Sequence, residues 1–397
     1  MSEYQYYEFR AVDRPLGRDE MDELRDLSTR AEITPTSFTN TYSYGDFKGK
    51  PRDLMGLYFD AFVYVANWGT RRLMFRIPRG LIDVGAASEY RGEEALAIDA
   101  GKDHVVIEFT SEDEPDDDWI DGEEWMPSLI SIRSELIRGD FRALYIGWLG
   151  SIGSGAWDEA EGRDKETSED HRLEPPVPPG LAKLSAPLQE LAKFLRIDDA
   201  LIKVAAARSD GKPPAEPSRG EMARWVKGLS LLEKEAYLVR FLADEGDIPL
   251  RAELARRLRK DTAPKRGKRT APDAGRRTVA QLLGPRDALV AQEAREAAEL
   301  AAEERARLDR ERAAARVKHL EALARREPAA WREVGELIAA KRPKDYDQAV
   351  GLLVDLREIA HRSGRAEAAE ARIREIRRSH AGKPGLLKRL DREKLGG

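Results

Sequence analysis

The sequence predicts an α+β domain in front, a two-layer arrangement of sheet and helices, followed by mainly helical middle and C-terminal regions with one long helix. Three observations predict this. Short strand-like and helix-like stretches alternate over the first 150 residues. Of the 28 aromatic residues, 22 lie in residues 1–157, where a large core must form. Residues 286–326 contain neither proline nor glycine and read as one helix, which at ~1.5 Å per residue reaches about 60 Å.

The elements follow in order. Tyr4 to Phe9 alternates in the manner of a strand. Arg18 to Thr29 spaces Met21, Leu24 and Leu27 by three, with Asp19 and Glu20 in the first turn, where the helix dipole favours them. Thr36 to Tyr44 suits a second strand. Gly45 to Pro51 reads as a loop. Asp53 to Ala66 is apolar almost all round, which predicts a buried helix. Leu73 to Ile77 and Val105 to Phe109 read as strands, with a short one at Ala95 to Ile98. A ferredoxin-like order of these elements fits the pattern. Pro127 to Arg138 and Phe141 to Ile152 read as helices that close a domain at residue 152.

Residues 153–180 are polar and acidic and end Glu-Pro-Pro-Val-Pro-Pro-Gly, which predicts an extended linker. Residues 181–259 read as a small helical domain, with capping boxes at Ser218/Glu221 and Ser230/Glu233 and a cap at Asp198. Residues 260–277 form a basic linker. Residues 278–397 carry the long helix and a helical arm through Trp331, Val334, Leu353, Leu356 and Ile373. A heptad trial through Val290, Ala294 and Ala297 meets Glu304 and Glu311, against a strong coiled coil.

Composition narrows the function. The net charge of −5 is a cancellation. Residues 1–180 hold 20 Lys/Arg against 38 Asp/Glu, a balance of −18; residues 181–397 hold 48 against 35, a balance of +13. There is no cysteine, hence no disulfide, thiolate metal site or thiol nucleophile. No stretch approaches the ~20 apolar residues of a spanning helix, and the N-terminus lacks the basic and apolar regions of a signal peptide. A cytoplasmic protein without membrane contact is expected. The five histidines have no partner at ligand spacing, and Gly150 to Gly155 lacks the Lys-Ser/Thr of a phosphate loop and reads as a tether. Neither cofactor nor metal is expected.

The strings Tyr6-Tyr-Glu-Phe-Arg-Ala-Val-Asp-Arg-Pro-Leu16, Ser28-Thr-Arg-Ala31, Gly45-Asp-Phe-Lys-Gly49, Tyr58-Phe-Asp-Ala61 and Ala66-Asn-Trp-Gly69 resemble a family of uncharacterised bacterial proteins. The resemblance covers most of the chain and implies no activity. The segment from Trp331 to Leu395 is similar to the helical tail of bacterial SWIM zinc-finger proteins, which bind nucleic acid or protein through a Cys/His metal site. Without cysteine that site does not carry over. What the resemblance implies here is a partner-docking arm.

One polar-aromatic cluster stands out: Asn40, Tyr42, Asp46, Phe47, Lys48, Asp60, Asn67, Trp68, Arg71 and Arg72. Asp60 lies in an apolar run, where an unpaired carboxylate is costly. It is either a buried partner of Arg71, Arg72 or Arg76, or a ligand-orienting or acid/base group. Trp68 reads as a core plug rather than a stacking platform. Tyr4 and Tyr6 share one strand face as base-stacking aromatics would, but a −18 region repels phosphate. Lys265, Arg266, Lys268, Arg269, Arg276 and Arg277 are candidate phosphate contacts. The sequence therefore predicts a non-enzymatic interaction or regulatory protein docking a protein partner through its helical arm. The alternatives are an accessory nucleic-acid-binding protein using residues 261–397, and an enzyme centred on Asp46 and Asp60.

Overall fold

A computed structural model describes residues 4–92, 95–112, 122–153, 172–209, 211, 218–243, 247–262 and 275–396. The chain divides into two compact units, 1–291 and 292–397. The acidic stretch from Asp113 to Asp121 lies outside the described residues, as do Lys265, Arg266, Lys268 and Arg269.

The first unit is built on seven antiparallel strands. They are β1 (Gln5–Arg10), β2 (Glu32–Thr34), β3 (Ser37–Tyr42), β4 (Ala61–Ala66), β5 (Arg71–Pro78), β6 (Leu96–Ala100) and β7 (His104–Ser111), in the order β2-β3-β1-β4-β5-β7-β6. The α+β class is as expected. The order is not that of a ferredoxin-like β-α-β-β-α-β unit.

Helices cover both sheet faces, not one. The cause lies in the central strands: all six residues of β4 are buried, so each face carries apolar side chains that need cover. One face presents Phe9, Phe38, Phe62 and Met74, covered by α1 (Arg18–Leu27) through Leu24 and by α2 (Pro51–Leu57) through Leu54 and Met55. In α1, Glu20 accepts the Gly17 N–H at 2.7 Å, the return half of a capping box. Proline at the first position starts α2. The other face presents Val63, Val65, Leu73, Phe75, Ile107 and Phe109 to α3 (Val84–Ser88), α4 (Trp125–Leu129), α5 (Ser131–Ile137) and α6 (Arg142–Gly153).

The run from Asp53 to Ala66 is not one helix. It holds α2, a break at Tyr58 to Asp60, and β4. Gly150 to Gly153, read as part of a tether, continues α6.

The expected boundary at 153–180 does not separate two cores. The helices α7 (Ala186–Phe194) and α8 (Asp199–Ala206) place Leu188, Leu191, Phe194 and Leu201 in the same core as the sheet, together with Val279 and Leu282. Asp198 caps α8 at the Ala200 N–H, 2.8 Å. Leu173 pairs with Thr278 in an antiparallel bridge, and the Glu174 N–H donates to the Arg277 carbonyl at 2.9 Å. Cutting an engineered protease site placed within 154–171 is therefore expected to leave two pieces that co-elute in gel filtration without denaturant. Their separation under native conditions would restore the independent helical domain.

Three further helices, α9 (Arg219–Gly228), α10 (Leu231–Leu242) and α11 (Asp247–Thr262), follow. Both expected capping boxes form, at Ser218/Glu221 and Ser230/Glu233. In α10 the polar side faces inward. Arg257 of α11 bonds Glu233 and the Tyr237 hydroxyl, and Arg240 bonds Glu253 at 2.9 Å. Leu232 and Leu242 are 79% and 81% exposed.

The helix α12 (Ala280–Ala324) is 45 residues long. In the second unit, α13 (Glu327–Ala340), α14 (Pro343–Arg362), α15 (Ala366–Ser379) and α16 (Pro384–Arg392) bury Trp331, Val334, Leu353, Leu356, Ile373, Leu386 and Leu390 against Leu320 and Leu323 of α12. Prolines in the first turn start α13, α14 and α16. Arg372 lies 4.4 Å above the Trp331 ring, a cation–π contact. No helix among the described residues is long and apolar enough to cross a membrane.

Candidate functional site

On the face covered by α1 and α2, helical cover gives way to an open cleft of about 480 Å³ beside β1, β4 and β5. Strand alternation and register build its floor. Gln5 and Tyr7 point to one face of β1, and Tyr7 stands opposite Tyr64 on β4. Tyr64 in turn stands opposite Arg72 on β5. The Tyr7 and Tyr64 rings lie 4.7 Å apart, and Phe47 packs on Tyr7 at 5.3 Å. The loop carrying Asp46 and Phe47 forms one wall. A side chain at Gly49 would meet the Phe47 ring at 2.6 Å, so only glycine lets that ring fold over its own loop.

Trp68 forms another part of the lining. It sits in the β4–β5 turn, where Gly69 takes φ +104° and donates its N–H to the Ala66 carbonyl at 3.1 Å. The tryptophan is 42% exposed rather than a core plug.

Gln5 organises the polar contacts. Its carbonyl oxygen accepts from the Tyr7 hydroxyl at 2.7 Å and the Tyr64 hydroxyl at 3.0 Å. Its amide nitrogen donates to Asp46 Oδ1 at 2.9 Å and the Gly45 carbonyl at 3.2 Å. Burial pushes both tyrosine ionisations up, so the hydroxyls stay neutral. Arg72 is held by Glu108 Oε1 at 2.5 Å. Glu108 also takes Arg52, which reaches Asp99 at 2.5 Å. This chain has two positive and two negative groups.

The structure thus brings Asp46, Phe47, Trp68 and Arg72 together and adds Gln5, Tyr7, Tyr64, Thr70, Thr110 and Glu112. It places the remaining predicted residues elsewhere. Lys48 is exposed and does not line the cleft. Asn40 is buried, donating to Ser28 Oγ at 2.6 Å and to the Tyr42 hydroxyl at 2.9 Å; Tyr42 packs edge-on to Tyr7. The Asn67 side chain accepts the Tyr4 N–H at 2.9 Å, holding the turn to the start of the sheet. Arg71 points to the opposite face, 5.4 Å over the Trp125 ring, and bonds the carbonyls of Lys193 and Phe194.

Asp60 is 1% exposed and lies outside the cleft. One oxygen accepts the N–H groups of Val12 and Asp13 at 2.7 and 2.8 Å; the other accepts Arg76 at 2.8 Å, with Arg133 at 3.8 Å. Tyr6 is also buried, donating to Glu8 at 2.8 Å, which removes it as a stacking platform.

Arg277 is no exposed phosphate contact. It is buried and forks onto Glu174 at 2.6 and 2.8 Å. Arg276 donates to the Glu174 carbonyl at 2.6 Å. Among the described residues no group of three His, Cys, Asp or Glu side chains is placed to hold a metal ion.

The second unit has its own open cavity, lined by Arg374, Arg377, Arg378, Ala381, Leu387 and Gly396. Arg377 is held by Asp391 at 2.5 Å, whereas Arg374 and Arg378 are exposed.

No protein-family model, no curated protein and no solved structure matches this chain.

Proposed function

We propose that this chain is a non-enzymatic interaction protein that binds a ligand in the aromatic cleft and docks a protein partner through its C-terminal helical arm. One observation carries the reading: the cleft's buried hydrogen-bonding groups are spent on one another through Gln5. General acid–base chemistry is favoured by a titrating group that is desolvated and poised against the substrate; the cleft's carboxylates, Asp46 and Glu112, are solvent-exposed. The tyrosine hydroxyls stay protonated and their donors are committed to Gln5, while Arg72 is committed to Glu108. Aromatic surface beside a few fixed polar groups suits recognition.

In the arm, the exposed Arg374 and Arg378 at the cavity edge suit an acidic group on the partner. Affinity capture from the native cell with the full chain, compared with the Arg374→Glu/Arg378→Glu variant, tests this reading. A partner retained by the parent chain and lost by the charge-reversed one is expected. Identical capture by both would remove the arm cavity as the docking point.

A further inference from the structure

We infer that the aromatic cleft takes an organic cation, an ammonium or guanidinium on an aliphatic stem, with a lysine or arginine side chain of a protein partner as its source. The inference rests on reading the cleft as a binding site rather than a catalytic one.

Aromatic faces attract cations through the ring quadrupole, most strongly tryptophan. Trp68 is exposed on the cleft lining, and Tyr7, Tyr64 and Phe47 supply three more rings. Charge points the same way. Among the described lining residues the cation is Arg72, which is neutralised within the Arg72–Glu108–Arg52–Asp99 chain. What remains in the lining is acidic: Asp46 and Glu112 are both exposed, and no described cation pairs with either. Asp46 gives Oδ1 to Gln5, and among the described residues no donor reaches its Oδ2. Lys48 and Lys50 belong to the same loop but line no part of the cleft. At long range, the unit 1–291 that carries the cleft holds 43 Lys/Arg against 53 Asp/Glu, a balance of −10, which draws a basic partner and repels an anionic one.

Size favours a side chain presented by a polypeptide. About 480 Å³ in an open cleft exceeds one ammonium head group and accommodates the flanking backbone. Glu112, Thr70 and Thr110 offer polar groups to that backbone.

The test uses the full chain and isothermal titration at low salt, with four probes: an acetylated, amidated Gly-Lys-Gly tripeptide, the same peptide with Nε-acetyl-lysine, n-butylammonium and butyrate. Saturable binding of the lysine peptide is expected. Acetylation of its ammonium should weaken it at least about ten-fold, and Trp68→Ala and Asp46→Asn each about three- to thirty-fold, the span of a partly desolvated cation–π or ionic contact. Butyrate should not bind. Butylammonium binding as tightly as the peptide would assign the site to free amines rather than to a protein side chain. Equal binding of acetylated and free peptide, or no binding of either cation, would overturn the proposal. The comparison of the two peptides on the parent chain holds even where a variant folds poorly. Butyrate binding without cation binding would reverse the ligand's charge yet keep the cleft a binding site, whereas chemical conversion of a probe would defeat the binding reading itself.

Discussion

Replacing Asp60 by asparagine is expected to destabilise the first unit by about 3–5 kcal/mol, the cost of breaking a buried ion pair from one side. The substitution leaves Arg76, 9% exposed, and Arg133, 3% exposed, facing an amide instead of a charge. Asp13 still holds Arg133 through two hydrogen bonds at 2.6 and 2.9 Å, so Arg76 suffers most. The position ties four segments together: the chain after β1 at Val12 and Asp13, the start of β4, Arg76 on β5 and Arg133 on α5. A fall in Tm of about 5–10 °C is the readout for a unit of this size.

The acid limb gives a second readout. Burial alone would raise the Asp60 carboxyl's pKa. The Asp13 N–H, the Arg133 charge and the bonds from Arg76 and Val12 outweigh it, and the pKa lies below the ordinary value. A carboxyl depressed in the folded state stabilises fully above its unfolded pKa, about 3.9, and that stability is lost as pH falls through the folded value. Parent and variant should therefore differ most at neutral pH and converge in acid. An unchanged Tm with lost ligand binding would instead make Asp60 a functional carboxylate.

Much of the sheet was legible because aromatic and β-branched residues are concentrated in β1, β3 and β7. The misread stretch, Asp53 to Ala66, shows the limit. Where both faces of a strand are buried, period two disappears and a short apolar run looks like a buried helix. The apolar run therefore places Asp60 within a helix, while its costly burial still points to a counter-charge on a nearby arginine. The proline-rich end of 153–180 reads as a linker from composition. Tertiary contacts join 181–206 to the front core: Leu188, Leu191 and Phe194 pack under the sheet, and Arg71 bonds the Lys193 and Phe194 carbonyls.

The cleft was half legible. Asp46, Phe47, Trp68 and Arg72 lie within 27 residues and stood out as a cluster. Gln5, Tyr7 and Tyr64 were missed because strand register brings them there. The one local signal is the shared parity of Gln5 and Tyr7 on β1; Tyr4 and Tyr6, the more conspicuous aromatic pair, lie on the other face. The α10 leucines show the same dependence on context: capping boxes fix where that helix starts, but not which face turns inward.

Arg277 makes the sharpest contrast between composition and structure, and its replacement by alanine is expected to cost about 3–5 kcal/mol. Among six basic residues of a basic segment, it looked like a ligand for phosphate. In the fold its guanidinium forks onto Glu174, itself 2% exposed, and donates to the carbonyls of Val204 and Ala205 at the end of α8. Glu174 also accepts the Tyr145 hydroxyl, whose ionisation is pushed up by burial and by that carboxylate. Losing Arg277 strands a buried carboxylate beside a tyrosine, and four carbonyl and carboxylate acceptors each lose one donor, though Glu174 Oε1 keeps the Tyr145 hydroxyl. The expected cost should be nearly independent of salt, since buried charges are poorly screened. An exposed phosphate contact would behave in the opposite way: its loss would leave Tm unchanged and lower salt-sensitive binding to duplex DNA. The paired variant Glu174→Gln/Arg277→Met separates charge from packing. With both charges removed, most of the lost stability should return, because apolar or neutral replacements of a buried pair are often close to neutral. If the double variant is as unstable as Arg277→Ala, the guanidinium's bonds to the α8 carbonyls, and not its charge, hold 172–174 and 276–279 to α8 within the first unit.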